Sequence, residues 1–499
     1  MRDCPEGRHS PNIVGRLQPP GSKTPQTIIL RGAYTDNCGM TAFSTLPLSP
    51  ATLSNLQQLG YAEMTPIQAA SLPVALAGHD LIAQAKTGSG KTAAFALALL
   101  AKLNPRWFAV QAMVLCPTRE LADQVTVEIR RLARAQDNIK VVTLCGGVAT
   151  RGQRASLENG AHIVVGTPGR IMDLLERQYL TLEGLNTLVL DEADRMLDMG
   201  FFDDIATVVR QTPKERQTLL FSATYPEGIE KLAKQFMRDP QQITVKAPVA
   251  ESTIEQRFYE VERSNKLETV GLVLNHFRPV STIAFCNTKA QCNDLVTLLQ
   301  AQGFVAQALH GDLEQRDRDQ VLAQFANRSC SVLVATDVAS RGLDVKELDL
   351  VINVDITPDP EVHVHRIGRT GRAGQSGLAV SLATMHEMGS VGKIEQYQNA
   401  PSVWFKRDEL TPTAGGRLLP PMVTVQIAGG RKEKIRPGDV LGALTSTEGG
   451  EAYTREQIGK IQVTEFCTFV AVDRHIAKDA CAKLNAGRVK GKSVRARLL

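Results

Sequence analysis

The chain has 499 residues, 43% of them hydrophobic, which is enough for roughly three globular domains. No apolar run approaches the roughly 18 residues of a membrane span, and the opening "MRDCPEGRHS" has acids and a proline where a secretory signal is apolar, so we expect a cytoplasmic protein without membrane contact. Nine scattered cysteines without a C-x-x-C pair argue against disulfides and zinc sites, and the net charge is +5.

Residues 1–39 differ in composition from the rest of the chain. Pro, Gly, Asn and Thr dominate, and no helix or strand periodicity is visible. A segment that cannot bury much apolar surface does not offset the entropy lost on folding. We therefore expect a disordered N-terminal extension.

From residue 40 to residue 400, short apolar runs such as "DLIAQA", "TLVL", "TIAFC" and "LVINV" alternate with stretches of helical periodicity. Continuous apolar strands separated by helices indicate parallel sheets that are covered on both faces. Polar residues and prolines interrupt the series near residue 246 and again near residue 410. We predict an α/β fold with two tandem parallel-sheet domains and a small α+β domain. The predicted segments are a first domain at 40–245, a second at 246–400, a linker at 401–420 and the small domain at 421–499.

The segment "AKTGSGKT", residues 85–92, follows an apolar strand and has the spacing of a phosphate-binding loop with alanine in place of the first glycine. Gly88 and Gly90 let backbone N–H groups turn toward a phosphate. Lys91 can reach the β and γ phosphates, and Thr92 can offer its hydroxyl to Mg²⁺. The segment predicts a site for a nucleotide and Mg²⁺, with a flexible Gly/Ser turn as the alternative.

Three carboxylates follow the apolar run in "LVLDEADRML", residues 188–197. Burying an unpaired charge is costly, so such acids need a partner. A phosphate-binding loop needs a second acidic site on a neighbouring strand, and Asp191 fits as a Mg²⁺ ligand. Glu192 would then orient or deprotonate the attacking water. Asp194 is expected to cap or pair locally, and a simple helix N-cap is the alternative for the whole segment.

These two segments and the motifs around them resemble the DEAD-box RNA helicases over the range from Phe43 to Arg372. The first domain contains "GYAEMTPIQ" (60–68), "PTRELA" (117–122), "GG" (146–147), "TPGR" (167–170), "DEAD" (191–194) and "SAT" (222–224). The second contains "IAFCNT" (283–288), "HGDLEQRDR" (310–318), "ATDVASRGLD" (335–344) and "HRIGRTGR" (365–372). The resemblance implies two RecA-like domains and an ATP-dependent RNA helicase.

The resemblance also implies an ATP site with parts in both domains, so that ATP draws the domains together. Gln68 would bind the adenine edge, Phe43 would stack on its face, and Asp344 would accept a hydrogen bond from the ribose. The implied ATP-binding residues are Phe43, Gln68, Ala85, Lys86, Thr87, Gly88, Ser89, Gly90, Lys91, Thr92 and Asp344. The implied catalytic residues are Lys91, Asp191, Glu192 and the two arginine fingers Arg369 and Arg372.

Several further residues match family positions that contact the RNA backbone. They are Arg119, Gly147, Thr167, Arg170 and Thr336. Hydroxyls, guanidinium groups and glycine N–H groups suit sugar and phosphate contacts, which carry little sequence preference. Ser222 and Thr224 match the family element that couples ATP binding to strand separation.

The last segment resembles the RNA-binding domain of the DbpA group, which acts on large-subunit ribosomal RNA. Residues 421–499 hold 14 Lys and Arg against 8 Asp and Glu, which favours a polyanionic partner. The domain is expected to be RRM-like, but "EFCTFVAV" retains only Phe466 and Phe469 of the usual aromatic pattern, so stacking on the sheet face is not expected to be the main contact. A basic strip that includes Lys490, Lys492 and Arg495 is the predicted RNA-binding surface.

The leading hypothesis is an ATP-dependent RNA helicase that remodels large-subunit rRNA in pre-ribosomal particles, acting as a monomer. A DNA translocase on the same core and an ATP-gated RNA clamp with little unwinding are the alternatives. ATP hydrolysis measured with RNA and with matched DNA distinguishes the first two.

Overall fold

A computed structural model describes residues 27–30, 41–86, 88–225, 227–245, 254–337, 348–371, 377–413, 415–447 and 451–499. The described residues form two compact units. The first contains one sheet, and the second contains two. In this described part of the chain, no helix combines the length and the apolar character needed to cross a lipid bilayer.

The first unit contains an eight-stranded parallel sheet with the strand order β1-β8-β2-β7-β6-β3-β5-β4. The strands are β1 (Thr27–Leu30), β2 (Leu81–Gln84), β3 (Ala112–Leu115), β4 (Val141–Leu144), β5 (Ile163–Gly166), β6 (Thr187–Leu190), β7 (Gln217–Ser222) and β8 (Gln241–Val245). The helices between residues 50 and 236 are α1 (Pro50–Gln58), α2 (Pro66–Leu76), α3 (Lys91–Ala101), α4 (Arg119–Leu132), α5 (Thr150–Glu158), α6 (Pro168–Glu176), α7 (Ala193–Asp198), α8 (Phe202–Arg210) and α9 (Glu227–Phe236).

The order of the central strands positions the candidate site. β5 and β6 are buried at every residue, as expected for parallel strands whose two faces are covered. β7 pairs with β2 on one side and with β6 on the other. Because parallel strands end at the same edge of a sheet, the segments that follow β2, β7 and β6 lie side by side there. These segments are the glycine-rich loop, "SAT" and "DEAD".

One strand lies inside the extension that we expected to be disordered. Thr27–Leu30 forms β1 and pairs in parallel with β8. The sequence "TIIL" has the β-branched and apolar residues that favour strands, and β8 offers a sheet edge to pair with. The rest of residues 1–39 lies outside the described residues.

The second unit contains a seven-stranded parallel sheet with the order β11-β12-β10-β13-β14-β9-β15. Its strands are β9 (Ile254–Glu260), β10 (Thr282–Phe285), β11 (Ala306–Leu309), β12 (Val332–Ala335), β13 (Leu350–Asn353), β14 (Gly377–Ala383) and β15 (Trp404–Phe405). Its described helices are α10 (Lys266–Phe277), α11 (Lys289–Ala301), α12 (Gln315–Ala326), α13 (Pro360–Ile367) and α14 (Met388–Gln398). β15 belongs to the segment that we predicted to be a linker, and it is held there because Trp404 packs on Phe258 of β9.

The small C-terminal sheet is antiparallel and has the order β17-β18-β16-β19. Its elements are β16 (Met422–Ile427), α15 (Pro437–Thr445), β17 (Ile458–Val463), β18 (Thr468–Asp473), α16 (Ala477–Ala486) and β19 (Ala496–Leu498). Alternate residues of β16 and β18, such as Val425, Val470 and Val472, share one apolar core with Leu444 and Leu484 of the two helices. One face of the sheet is therefore covered by α15 and α16, which agrees with the predicted α+β domain.

The opposite face of this small sheet packs against α12 of the same unit. Thr424 of β16 is fully buried, accepts a hydrogen bond from Asn327 Nδ2 at 3.1 Å and shares one with the Ser329 hydroxyl at 2.5 Å. Phe469 lies on the same face, since it is paired directly opposite Gln426, and only 1% of its surface is exposed. The sheet face that an RRM uses for stacking bases is therefore occupied by protein, which supports the expectation that RNA binds elsewhere.

Candidate functional site

The glycine-rich loop connects β2 to α3 at the edge of the first sheet. Gly88 and Gly90 have φ angles of 83° and 94°, in the left-handed region that glycine adopts without strain. α3 begins at Lys91, whose buried ammonium group donates a hydrogen bond to the Ala85 carbonyl at 2.9 Å. Among the residues that the structure describes, the buried Ser89 hydroxyl has no hydrogen-bond partner. The loop thus presents a cation, a free hydroxyl and a helix N-terminus at one place, which suits a phosphate group.

Gln68 braces this loop from α2. Its carbonyl oxygen accepts from the Thr65 amide at 2.9 Å, and its amide nitrogen donates to the Gly90 carbonyl at 3.1 Å. A Cβ at position 90 would lie 2.5 Å from that nitrogen, so this close approach requires glycine. Gln68 is 1% exposed and lies next to the loop. Its contact with adenine stays a prediction.

Phe43 is also buried, and its ring meets Tyr61 edge-on with 6.2 Å between the centroids. The Tyr61 hydroxyl in turn donates to Glu128 Oε1. Burial and this carboxylate raise the pKa of Tyr61. The structure therefore places the Phe43 ring in a packed environment, and stacking on a base would require the ring to become accessible.

The acidic segment after β6 lies next to the glycine-rich loop. Asp191 is buried and accepts a hydrogen bond from the Glu192 amide at 3.0 Å. Burial raises the pKa of Asp191 to about 7, although the nearby Lys91 opposes that rise. Glu192 has a φ of 50° and forms an ion pair with Arg195 at 3.3 Å. The segment therefore contains two buried acids, one close to Lys91 and the other paired with Arg195.

Asp194 connects this segment to "SAT", a link that the sequence reasoning did not identify. Its Oδ2 atom accepts hydrogen bonds from the Ala223 amide at 3.1 Å, from the Thr224 amide at 2.9 Å and from the Thr224 hydroxyl at 3.0 Å. Burial alone would raise the pKa of Asp194, but the Thr224 hydrogen bonds and the charge of Lys91 lower it overall. The expected local pairing of Asp194 is thus a contact to the neighbouring strand end. The adjacency of β6 and β7 was the missing information.

The donor set fits a magnesium nucleotide. Among the residues that the structure describes, no group of three or more His, Cys, Asp and Glu side chains could hold a metal ion by itself. Asp191 and Thr92 would supply only part of the octahedral shell of Mg²⁺, which typically also takes phosphate oxygens and waters. The added positive charge would stabilise the ionised form of the Asp191 carboxylate.

The predicted arginine fingers are only partly within the described residues. Arg369 is largely buried and its carbonyl accepts from the Leu348 amide at 3.3 Å. Arg372, Asp344 and Thr87 lie outside the described residues.

The sequence reasoning passed over Arg366 of the same motif. Its guanidinium pairs with Asp337 at 2.7 Å and donates to the Asp355 carbonyl at 2.7 Å. Arg366 therefore holds the ends of β12 and β13 together.

The predicted RNA-binding residues are spread over loops and helix starts. Thr167 precedes α6, and Arg170 in its first turn donates to Gln153 Oε1 at 3.1 Å. Arg119 opens α4 and lies 3.8 Å from Asp123, and Gly147 has a φ of 75°. Thr336 directly follows β12. The contact of these five residues with RNA stays a prediction.

The predicted basic strip of the C-terminal domain is exposed. Lys490, Lys492 and Arg495 all lie on the surface. The Lys490 ammonium donates to the Lys434 carbonyl at 2.6 Å, so this strip adjoins the loop after β16. Phosphate groups can therefore reach a cluster of cations from the two segments.

Three family matches cover most of the chain. Residues 65–232 match the DEAD/DEAH box helicase family, residues 262–374 match the helicase conserved C-terminal domain, and residues 424–498 match the DbpA RNA binding domain.

Individual relatives extend these matches. The chain is 52% identical over 464 residues to the ATP-dependent RNA helicase DbpA of Escherichia coli, covering 92% of this chain and 100% of that protein. It is 44% identical to the DEAD-box ATP-dependent RNA helicase CshA of Geobacillus kaustophilus over 72% of this chain and 76% of that protein. Among solved structures, S. cerevisiae Dbp5 bound to RNA and ADP BeF3 is 30% identical with a TM-score of 0.67, covering 74% of this chain and 96% of that one.

Proposed function

Because the chain belongs to the DbpA group of DEAD-box ATP-dependent RNA helicases, we propose that it uses ATP hydrolysis to remodel large-subunit ribosomal RNA during ribosome assembly. The full-length match to a DbpA supports this assignment, as does a C-terminal domain of the same group. We expect a cytoplasmic monomer that acts on pre-ribosomal particles.

The observation that carries the ATPase part of the proposal is the convergence of the glycine-rich loop and the acidic segment. The charge of Lys91 acts on both Asp191 and Asp194, so these side chains belong to one electrostatic site. In this proposal Lys91 binds the β and γ phosphates, and Thr92 and Asp191 hold Mg²⁺. The metal ion would supply positive charge that neutralises the phosphate oxygens. Glu192 would orient the attacking water and accept its proton.

Other residues would complete the nucleotide site. We propose that Gln68 and Phe43 select adenine, that Asp344 binds the ribose, and that Arg369 and Arg372 stabilise charge on the transferred phosphoryl group. Asp194 and Thr224 would transmit the state of this site to RNA, because the three hydrogen bonds that Asp194 accepts from Ala223 and Thr224 join the acidic segment to "SAT".

RNA would be held in two ways. In the core, the predicted contacts of Arg119, Gly147, Thr167, Arg170 and Thr336 address the sugar–phosphate backbone and position a strand without reading it. Selection of a ribosomal target would then fall to the C-terminal domain, whose exposed lysines and arginines offer phosphate contacts.

The decisive experiment compares ATP hydrolysis by the full chain with three nucleic acids at equal nucleotide concentration. These are a structured large-subunit rRNA fragment, an unrelated RNA and a DNA of the same sequence as the rRNA fragment. We expect the rRNA fragment to activate hydrolysis at the lowest concentration and the DNA to activate it least. Equal activation by DNA would favour a translocase, and RNA-activated hydrolysis without release of a short duplex would favour an RNA clamp.

A further inference from the structure

Arg195 of α7 is a buried arginine to which the proposed mechanism gives no role. Only 5% of its surface is exposed, so it offers almost no surface to a bound RNA strand. It follows Glu192 by three residues, the spacing at which side chains at the start of a helix lie next to each other. A buried cation is costly unless it is paired, so its surroundings indicate what it does.

The ion pair between Arg195 and Glu192 is poorly suited to stabilising the fold. Nη1 of Arg195 lies 3.3 Å from Oε2 of Glu192, and only 6% and 8% of the two side chains are exposed. Among the described residues, neither of these two atoms has a hydrogen-bond partner. A buried ion pair offsets the cost of removing two charges from water only when hydrogen bonds satisfy its remaining donors and acceptors. A contribution to stability therefore does not account for this pair, and a role in the site accounts for it better.

The backbone of Glu192 is also held in an uncommon conformation. Its φ and ψ are both 50°, in the left-handed region that residues other than glycine seldom adopt. Its amide donates to Asp191 Oδ1 at 3.0 Å. Backbone strain of this kind persists where the surrounding structure holds it, and it concentrates at active sites. The main chain of Glu192 is thus fixed by Asp191, and its side chain is paired with Arg195.

Arg195 is itself anchored to the end of the neighbouring strand. Its amide donates to Oδ1 of Asp194 at 3.0 Å, while Oδ2 of the same carboxylate accepts from the amides of Ala223 and Thr224 at 3.1 and 2.9 Å. Asp194 therefore joins "SAT" to the main chain of Arg195. Because that main chain is fixed, the guanidinium group has a restricted range of positions beside Glu192.

The cations of the site are divided between its acids. The charge of Lys91 acts on Asp191 and Asp194. Arg195 faces Glu192, and among the described residues no other cation lies within ion-pair distance of that carboxylate. A carboxylate that accepts a proton from water must point at that water, and a misplacement of about 1 Å can cost about 100-fold in rate. An ion pair with one carboxylate oxygen restricts the rotation of the group as a whole.

We infer that Arg195 is a positioning residue for ATP hydrolysis, whose guanidinium group holds the Glu192 carboxylate in the orientation that accepts a proton from the attacking water. This inference rests on the proposed function, in which Glu192 is that acceptor, and adds a residue to it. The water oxygen bonds to the γ-phosphorus, the bond from that phosphorus to the β–γ bridging oxygen breaks, and the water proton passes to Glu192. Arg195 acts through Glu192 and needs no contact with the nucleotide.

The test is a double-mutant cycle on the full chain, formed by Arg195→Met, Glu192→Gln and the protein that carries both changes. Single-turnover ATP hydrolysis with RNA present gives the rate, and binding of a fluorescent nucleotide gives the affinity. We expect Arg195→Met to lower the rate by ~10- to 100-fold and to change the affinity by less than ~2-fold, because the phosphate contacts are intact. In the Glu192→Gln background, Arg195→Met should lower the rate by less than ~3-fold, because the group that it positions is already disabled.

Further variants separate positioning from folding. Arg195→Lys keeps a positive charge at this place and should hydrolyse ATP at least ~3-fold faster than Arg195→Met. Arg177→Met removes an exposed arginine that pairs with Asp173, and it should hydrolyse ATP as the parent chain does. Urea unfolding shows whether each variant is folded. If Arg195→Met does not fold, Arg195→Gln takes its place in the cycle with the same expected results.

A parental rate in Arg195→Met would overturn the inference. Rate losses that multiply in the double variant would do so too, since Arg195 would then act through another group. A fall in nucleotide affinity that matches the fall in rate would assign Arg195 to nucleotide binding, and an Arg195→Lys rate no higher than that of Arg195→Met would assign it to packing. A parental rate in Glu192→Gln would instead contradict the proposed role of Glu192, so the two failures are distinguishable.

Discussion

Lys91 and Glu192 lie in the same pocket, but their substitution should have different consequences. Removing the ammonium group in Lys91→Ala deletes the positive charge that acts on Asp191 and Asp194, and with it the predicted phosphate contact. Glu192→Gln keeps the size of the side chain and the phosphate contacts but removes a proton acceptor. We therefore expect Lys91→Ala to lose nucleotide affinity, and Glu192→Gln to bind ATP while its single-turnover hydrolysis falls by ~100-fold or more.

Fluorescent-nucleotide binding and single-turnover hydrolysis, both in the presence of RNA, separate these two effects. Glu183→Gln, at an exposed position, is the matched control and should behave as the parent chain. Hydrolysis at the parental rate by Glu192→Gln would remove that residue from the proton-transfer step.

α13 carries a buried histidine that should make the second helicase domain sensitive to acid. His363 stacks on Phe258 of β9, and burial together with the nearby Arg366 lowers its pKa from 6.5 to about 4. Between about pH 4 and pH 6.5, His363 is therefore neutral in the folded state, whereas the unfolded chain binds a proton at this residue. The free energy of unfolding should be unaffected by this group above pH 6.5. It should fall by about 1 kcal/mol at pH 5.5 and by roughly 3 kcal/mol near pH 4.

Urea unfolding at pH 7.5 and 5.5 tests this expectation, with Trp404 as the reporter because its ring packs on Phe258. The chain has two tryptophans, so Trp107→Phe leaves the signal to Trp404 alone. In the Trp107→Phe background, acidification from pH 7.5 to 5.5 should lower the free energy of unfolding. For His363→Phe this loss should be about 1 kcal/mol smaller than for the protein that keeps His363. Equal losses in the two proteins would show that other groups cause the acid sensitivity.

A buried lysine stabilises the end of α15. The Lys483 ammonium, on α16, donates to the carbonyls of Leu444, Ser446 and Glu451 at 3.1, 2.5 and 2.6 Å. Lys483→Met would fill the same space and leave these carbonyls without that donor, at a cost of about 2–4 kcal/mol. Amide hydrogen exchange in residues 444–453 should accelerate accordingly, while the exposed Lys478→Met on the same helix should leave exchange unchanged. Unaltered exchange in Lys483→Met would mean that water replaces the ammonium group.

The sequence predicted those elements whose pattern is local. "TLVL" is buried at all four residues and ends at the acidic segment, as its continuous apolar character predicted. The strand of Trp404–Phe405 was missed because it depends on a partner, β9, that lies far away in the chain. The bonds from Thr224 to Asp194 were missed for a similar reason, since they follow from the order of β7 and β6 within the sheet. Pairwise neighbours across a sheet are set by the tertiary fold, and a single sequence does not encode them locally.

Across the whole chain, target selection and ATP hydrolysis should be separable. A chain that ends at Leu419 lacks the C-terminal domain but keeps Leu418, which packs against the core of the second helicase domain. We expect this shortened chain to retain ATP hydrolysis activated by high concentrations of unrelated RNA. The preference for a structured large-subunit rRNA fragment should disappear, because the basic strip is absent.

The measurement is ATP hydrolysis over a range of RNA concentrations, comparing the concentration for half-maximal activation by the two RNAs. The loss of the C-terminal domain uncovers Asn327 and Ser329, so Asn327→Ser in the shortened chain controls for effects of that newly exposed surface. A preference for the rRNA fragment that survives in the shortened chain would place target recognition in the two helicase domains.

The hydrogen bonds of Thr424 to Asn327 and Ser329 also affect how an RNA bound by the C-terminal domain reaches the second helicase domain. A domain on a flexible tether samples a volume, and the effective concentration of its bound RNA falls as that volume grows. A domain packed on α12 would instead hold its RNA at a fixed distance and direction from β12. The orientational entropy of bringing that RNA to the helicase domain is then lost when the protein folds, before any RNA binds. The RNA element bound there would thus determine which neighbouring segment of the same RNA is offered for remodelling.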